Sequence, residues 1–138
     1  IAADVIEHVK HPEHLIGELT RRLGKEGRLI ISTPNFGHWY PRIRVATGTF
    51  DYDRRGILDN THLRFFTKRG LTRILDKVPL VVEDVRYSAT PFPIANSQTK
   101  TLRALSAIDQ SLVKARPSLF GYQFIITMRP KNLDSIIG

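Results

Sequence analysis

The densest group of side chains capable of chemistry lies just before position 65. It consists of Asp59, Thr61, His62 and Arg64. A carboxylate such as Asp59 can fix the His62 tautomer through Nδ1, which leaves Nε2 to take a proton from a hydroxyl or amine. Arg64 can hold a carboxylate or phosphate. We therefore predict Asp59 and His62 as catalytic residues and Arg64 as a substrate-binding residue. In the alternative interpretation the loop is structural, with Asp59 capping a turn and pairing with Arg64.

A second group follows a buried strand. Residues Arg28–Ser32 form a short apolar run typical of a parallel sheet, and Thr33–Asn35 ends it because proline cannot donate to a sheet ladder. The loop after such a strand lies at the carboxyl edge of the sheet, where ligands bind. Asn35 can bind a substrate amine or hydroxyl and His38 can act as a base, so both are predicted as substrate-binding residues. Alternatively, Asn35 caps the turn or the next helix.

Histidines at three-residue intervals suggest a metal site, but the context argues against one. His8, His11 and His14 have this spacing. Pro12 separates His8 from the helix that follows, and no carboxylate pattern completes a tetrahedral ligand set. No metal site is therefore predicted.

The composition is that of a single globular domain without a membrane-spanning helix. The chain has 138 residues, 41% of them hydrophobic, and it contains no cysteine. This length fits a single domain with its own core, and no apolar run approaches the roughly 20 residues of a membrane helix. Without cysteines there are no disulfides, which favours a reducing compartment and hence the cytoplasm.

The net charge of +8 permits anionic partners, but it is spread over pairs of basic residues rather than one block. The segment 62–69 mixes basic and aromatic residues as single-strand binders do, yet its adjacent phenylalanines, Phe65 and Phe66, are typical of a core. Nucleic acid is therefore not the predicted partner. A basic, non-catalytic binding module for nucleic acid or an acidic protein is the alternative to an enzyme.

The apolar periodicity predicts an α/β fold. Helices are expected over 12–23, 37–47, 68–77 and 97–115, and strands over 28–32, 80–87 and 120–128. A helical insertion at about 89–117 is expected between the last two strands. Its apolar stripe (Leu102, Leu105, Ile108 and Leu112) is expected to pack on the core or cover the pocket. The loop 48–60, rich in aromatic and charged residues, is predicted to act as a lid.

Three segments carry a family resemblance. The segment RRLGKEGRLIISTPN at 21–35 resembles the fourth helix and fifth strand of class I S-adenosylmethionine-dependent methyltransferases. ADVIEHV at 3–9 resembles the segment that leaves their fourth strand. GILDNTHLRFFT at 56–67 is similar to a signature of a branch that acts on small molecules.

The resemblance implies a Rossmann-like methyltransferase fold with a mixed sheet, an antiparallel final pair of strands and flanking helices. It also implies S-adenosylmethionine as cosubstrate and a small-molecule methyl acceptor. Ala3, Asp4 and Val5, with His8 beside them, are the residues it places against the cofactor. The acceptor atom, oxygen, nitrogen or carbon, stays open.

The glycine-rich loop and the acidic strand end of this family do not occur in the sequence. We therefore expect the chain to be the C-terminal part of a methyltransferase domain that is inactive alone. We also expect the incomplete sheet to leave an apolar edge through which the chain self-associates.

Overall fold

The structure, a computed structural model, describes residues 1–91 and 100–131. It contains a four-stranded mixed sheet in the order β1-β2-β4-β3. The strands are β1 (Ala2–Ala3), β2 (Leu29–Pro34), β3 (Leu80–Ser88) and β4 (Gln123–Pro130). β1 and β2 are parallel, whereas β4 is antiparallel to both β2 and β3. The predicted α/β fold, with a mixed sheet and an antiparallel final pair, is confirmed.

Four of the helices begin at a proline or directly after a capping side chain. The helices are α1 (Pro12–Arg21), α2 (Trp39–Ala46), α3 (Lys68–Leu75), α4 (Lys100–Ala115) and α5 (Pro117–Phe120), with a 3₁₀ turn at Ile6–His8. Pro12 occupies the first turn of α1, where its missing N–H costs nothing. The Thr67 hydroxyl accepts a hydrogen bond from the Gly70 amide and caps α3. Residues 92–94 of the predicted insertion and residues 97–99 of the helix predicted over 97–115 lie outside the described residues.

The strand ends differ from the sequence prediction by up to three residues. β2 continues past Ser32 because Pro34 pairs with Gln123 and the next amide, on Asn35, donates to the Tyr122 carbonyl. The proline therefore interrupts only one donor of the ladder. β4 begins at Gln123 rather than Phe120, because Pro117 starts the short helix α5 that carries Phe120.

One hydrophobic core joins the sheet to α1 and α3. Ile16 from α1 and Leu71 from α3 are fully enclosed against the central strands. β2 and β4 contribute alternate side chains to this core: Leu29, Ile31, Phe124, Ile126 and Met128. The core therefore fixes β1 and β2, whose carboxyl ends carry the predicted site.

Helix α4 packs by a different face from the one predicted. Leu105, Ile108 and Leu112 are exposed, whereas Asp109 and Val113 are buried. The reason is polar: the Asp109 carboxylate accepts hydrogen bonds from the amide (2.8 Å) and hydroxyl (3.3 Å) of Thr90, just after β3. This anchor turns the predicted apolar stripe outwards.

Among the described residues, no helix is both long and apolar enough to cross a membrane. β1 pairs with only Ile31 and Ser32 of β2, and its outer side has no partner strand in the described ranges. Self-association through this edge stays a prediction.

Candidate active site

A cavity of about 260 Å³ opens at the carboxyl ends of β1 and β2. Its lining residues are Asp4, Glu7, His8, Pro34, Gly56, Asp59, His62, Tyr122 and Gln123. The structure thus brings together four segments that are distant in sequence, at the sheet edge where α/β proteins bind ligands. A larger groove of about 480 Å³ lies between α3 and β3, but its lining is mostly aliphatic and contains none of the predicted site residues.

Backbone hydrogen bonds fix the segment that carries His62 against the 3₁₀ turn. The Glu7 carbonyl accepts hydrogen bonds from the amides of Leu63 (2.8 Å) and Arg64 (3.0 Å). Further along, the Phe36 amide donates to the Phe66 carbonyl (2.8 Å). His62 therefore has a defined position relative to both strand ends.

The imidazole of His62 is oriented by a backbone carbonyl and not, as predicted, by Asp59. Its Nδ1 lies 3.3 Å from the Ile57 carbonyl oxygen. Because a carbonyl can only accept, neutral His62 carries its proton on Nδ1 and leaves Nε2 unprotonated. Nε2 is therefore free to accept a proton, as predicted, but the Ile57 carbonyl and not Asp59 fixes the tautomer.

Asp59 instead closes its own turn. Its Oδ1 accepts hydrogen bonds from the amide (2.8 Å) and hydroxyl (2.6 Å) of Thr61. These bonds, and to a smaller extent the nearby His62 and His8, lower the pKa of Asp59, so its carboxylate stays ionised beside the histidines. The turn-capping alternative is the observed one, while pairing with Arg64 is not.

His8 lies next to His62, with ring centroids 4.9 Å apart. Its Nδ1 is 3.1 Å from the Thr61 carbonyl oxygen, so it too leaves Nε2 unprotonated when neutral. The two imidazoles therefore present the same kind of nitrogen to one cavity.

Glu7 is the most enclosed acidic residue of the site, with 1% of its surface exposed. Oε2 accepts a hydrogen bond from the Thr33 hydroxyl (3.0 Å), whereas Oε1 has no hydrogen-bond partner among the described residues. Burial raises the pKa of Glu7. Its sequence position beside His8 did not by itself reveal that it is buried.

Asp4 stands at the end of β1 in a left-handed backbone conformation, with φ of 51°. A non-glycine residue with this φ is uncommon and is concentrated at functional sites. Its Oδ1 accepts hydrogen bonds from the Ser32 hydroxyl (3.3 Å) and the Gln123 amide group (2.8 Å). The neighbouring Ala3 and Val5 are exposed, so this short segment is accessible to a ligand.

Asn35 and His38 do not line the cavity. Asn35 is buried, and its Nδ2 donates to the carbonyls of Ser118 (3.1 Å) and Gly121 (2.8 Å) while Oδ1 accepts from the Gly37 amide. The structural alternative, in which Asn35 caps the turn, is therefore the observed one.

His38 caps α2: its Nδ1 accepts a hydrogen bond from the Tyr40 amide (3.3 Å). The side chain is 2% exposed. Burial lowers the pKa of His38, although Asp109 and the Phe120 backbone act in the opposite direction. His38 therefore serves as a helix cap in this structure, and its substrate-binding role stays a prediction.

Arg64 also points away from the cavity. Its Nη2 donates to the Lys10 carbonyl (2.7 Å), and this bond ties the His62 segment to the start of α1. The geometry supports a structural role for Arg64 rather than the predicted substrate clamp.

Sequence reasoning missed the part of the site that β4 supplies. Gln123 opposes Pro34 in the sheet, and the Tyr122 hydroxyl is so close to Gly56 that a Cβ there would lie 2.7 Å from it. Gly56 also has φ of 95°, which disfavours any other residue. The missed signal is topological, since an antiparallel strand begins at the edge where its neighbour ends.

Aromatic side chains extend from the cavity towards solvent. His62 lies 6.1 Å from Phe65 between ring centroids, and Phe65 contacts Tyr52 (6.3 Å) and Phe50 (6.4 Å). Tyr52 and Phe50 are among the exposed large side chains. They belong to the predicted lid loop, whose Gly56 and Asp59 line the cavity.

Comparison with known proteins agrees with this geometry. Residues 1–85 match a family model described as a methyltransferase domain. A search of curated proteins returned no match. The matched range covers the whole His62 segment and both strand ends of the cavity.

Proposed function

The chain belongs to the class I S-adenosylmethionine-dependent methyltransferase family, and we propose that its site methylates a small molecule in the cavity beside His62. The observation that supports this most is the meeting of Asp4, at the end of β1, with His62 in one cavity. In this family S-adenosylmethionine supplies the methyl group, and the residues proposed to lie against it are Ala3, Asp4, Val5 and His8.

The cavity has groups suited to that cosubstrate. The left-handed backbone at Asp4 opens the end of β1, and the Asp4 carboxylate is held by Ser32 and Gln123. Such a carboxylate can pair with the cationic part of the cosubstrate or accept from its hydroxyls. Fixed polar groups in a concave site supply specificity for a small ligand.

His62 is the proposed general base. Methyl transfer needs alignment of the reacting atoms and, for a hydroxyl acceptor, removal of its proton. The unprotonated Nε2 of His62 can take that proton, and the ionised Asp59 stabilises the imidazolium that forms. Asp59 therefore acts through the charge it places near His62.

The acceptor is proposed to be a small molecule with an apolar or aromatic part. Phe50, Tyr52 and Phe65 form a partly exposed aromatic surface next to His62. A flat apolar group packing on these rings would bring an attached hydroxyl to the imidazole.

We further propose that residues outside this sequence complete the cofactor site and that the protein works in the cytoplasm. In this proposal the described residues supply one wall of the cofactor site, through β1 and the 3₁₀ turn. The family resemblance assigns the remaining cofactor contacts to segments that the sequence does not contain.

The test is kinetic, with the longer protein that this chain is proposed to belong to and labelled S-adenosylmethionine over a small-molecule extract. His62→Ala should lower kcat by about 10²-fold or more, with cofactor affinity unchanged. His14→Ala is the matched control because His14 is exposed on α1, away from the cavity. A change confined to KM would make His62 a positioning residue, and full activity would contradict the proposal.

A further inference from the structure

Three potential metal ligands meet in the cavity although they are separated in the sequence. One ligand atom from each of Glu7, His8 and His62 lies within 4.8 Å of the other two. We propose that these residues bind a divalent first-row transition metal such as Zn²⁺. His8 pairs here with His62, and not with His11 and His14, the partners that the sequence spacing suggested.

The two histidines are already oriented as metal ligands. Nδ1 of His8 faces the Thr61 carbonyl and Nδ1 of His62 faces the Ile57 carbonyl. A metal-binding histidine usually donates its other N–H to such an acceptor, which fixes the tautomer and the ring orientation. Each imidazole therefore offers an Nε2 lone pair, the form in which histidine coordinates metals.

Glu7 supplies an independent observation. Its Oε1 is buried and has no hydrogen-bond partner among the described residues, an arrangement that is costly and uncommon. Oε2 is held by the Thr33 hydroxyl, as the outer oxygen of a coordinating carboxylate would be. A cation bound to Oε1 would satisfy that atom.

The donor set indicates the kind of metal. Two imidazoles and one carboxylate suit Zn²⁺ and its first-row neighbours better than Mg²⁺ or Ca²⁺, which prefer oxygen ligands. Tetrahedral ligands at about 2.1 Å from one ion lie about 3.4 Å apart, so side chains whose ligand atoms are up to 4.8 Å apart need to approach by up to about 1.4 Å. Three protein ligands leave a coordination position open, as in catalytic sites.

The proposed metal site can be tested independently of methyl transfer, because metal binding is measured directly. If both hold, Nε2 of His62 would bind the cation and could no longer act as base. The cation would instead lower the pKa of an acceptor hydroxyl bound to it, and the proton of that hydroxyl would pass to solvent. The loss of turnover in His62→Ala is expected in either case.

The experiment is a titration of the chain with Zn²⁺ against a chromophoric chelator, repeated with Co²⁺ by visible absorption. We expect one ion per chain with Kd in the micromolar range or tighter. Glu7→Gln and His8→Ala should weaken binding at least tenfold. His11→Ala combined with His14→Ala is the control, because those stacked rings lie outside the cavity and offer the competing site.

A second measurement uses the unaltered chain, so that a misfolded variant cannot obscure the result. Nitrogen-15 spectra of the imidazole rings should show the Nε2 resonances of His8 and His62 shifting on addition of Zn²⁺, while those of His14 stay in place. Absence of binding, binding that follows His11 and His14, or preference for Mg²⁺ over Zn²⁺ would each overturn the proposal. The kinetic assay described for the proposed function tests methyl transfer separately.

Discussion

Among single residues, Asn35 shows how an amide at a ligand-binding edge can serve the fold instead. Its side chain makes three hydrogen bonds to the backbone while fully buried. Asn35→Ala would leave the Ser118 and Gly121 carbonyls without their partner, so we expect the free energy of unfolding to fall by about 2–4 kcal/mol. Urea denaturation measures this change.

The matched control for that substitution is Asn60→Ala, because the Asn60 side chain is exposed in the neighbouring loop. It should change stability by less than about 0.5 kcal/mol. If Asn35→Ala is as stable as this control but raises KM for the acceptor, Asn35 binds substrate and the structural assignment is wrong.

His38 gives a prediction on pH. Burial lowers its pKa in the folded protein below the value of about 6.5 that it has when unfolded. Between these two pKa values the unfolded chain binds more protons, so stability is complete above about pH 6.5 and falls as the pH drops towards the folded pKa. Protonation would also remove the acceptor for the Tyr40 amide.

His38→Asn tests this prediction, because asparagine retains a capping acceptor for α2 and does not titrate. Its stability, measured by denaturation between pH 7.5 and pH 5, should fall less than that of the unaltered protein. The two losses of stability should differ by about 1.4 kcal/mol for each unit by which burial lowers the pKa of His38. Equal slopes in the two proteins would show that His38 does not cause the loss.

The residue types of the site could be read from the sequence, but their partners could not. His62, His8 and Asp4 follow from strand-edge placement and family resemblance, and they do meet in one cavity. The orientation of His62 by the Ile57 carbonyl, in contrast, depends on the path of an irregular loop. Local backbone acceptors compete with side chains there, and residue spacing does not decide between them.

Among the helices, α4 buries a different face from the one that its apolar periodicity predicts. Val113 is 8% exposed, whereas Ile108, a member of the predicted stripe, is 56% exposed. Val113→Ala should therefore lower the free energy of unfolding by about 1–2 kcal/mol, and Ile108→Ala by less than about 0.5 kcal/mol. Thermal or urea unfolding compares the two; the reverse order would restore the face predicted from sequence.

The buried face of α4 could not be predicted from its sequence, because it depends on one buried carboxylate, that of Asp109. A hydrophobic stripe counts apolar residues and gives no weight to an aspartate whose carboxylate receives two hydrogen bonds from Thr90. The sheet was more predictable. Its apolar runs specify buried strands, and the sequence located three of the four to within a few residues.

For the protein as a whole, the residues that line the cavity predict whether this chain can bind the cofactor by itself. Under the proposed function, the described residues supply one wall of the cofactor site through Asp4 and its neighbours. A ligand loses most of its affinity in such a half-open site. Calorimetric titration of these residues alone should show no measurable S-adenosylmethionine binding. Micromolar binding by a monomer would mean that the chain closes a complete site by itself.

The location of the cofactor can be measured, in the longer protein to which we propose this chain belongs, by amide chemical shifts during titration with S-adenosylhomocysteine, the demethylated product. The cavity at the ends of β1 and β2 predicts that the amides of Ala3, Asp4, Val5 and His8 shift most. Leu71 and Val82 line the apolar groove between α3 and β3, so their amides should stay in place. Shifts concentrated in that groove, with none around Asp4, would contradict the proposed site.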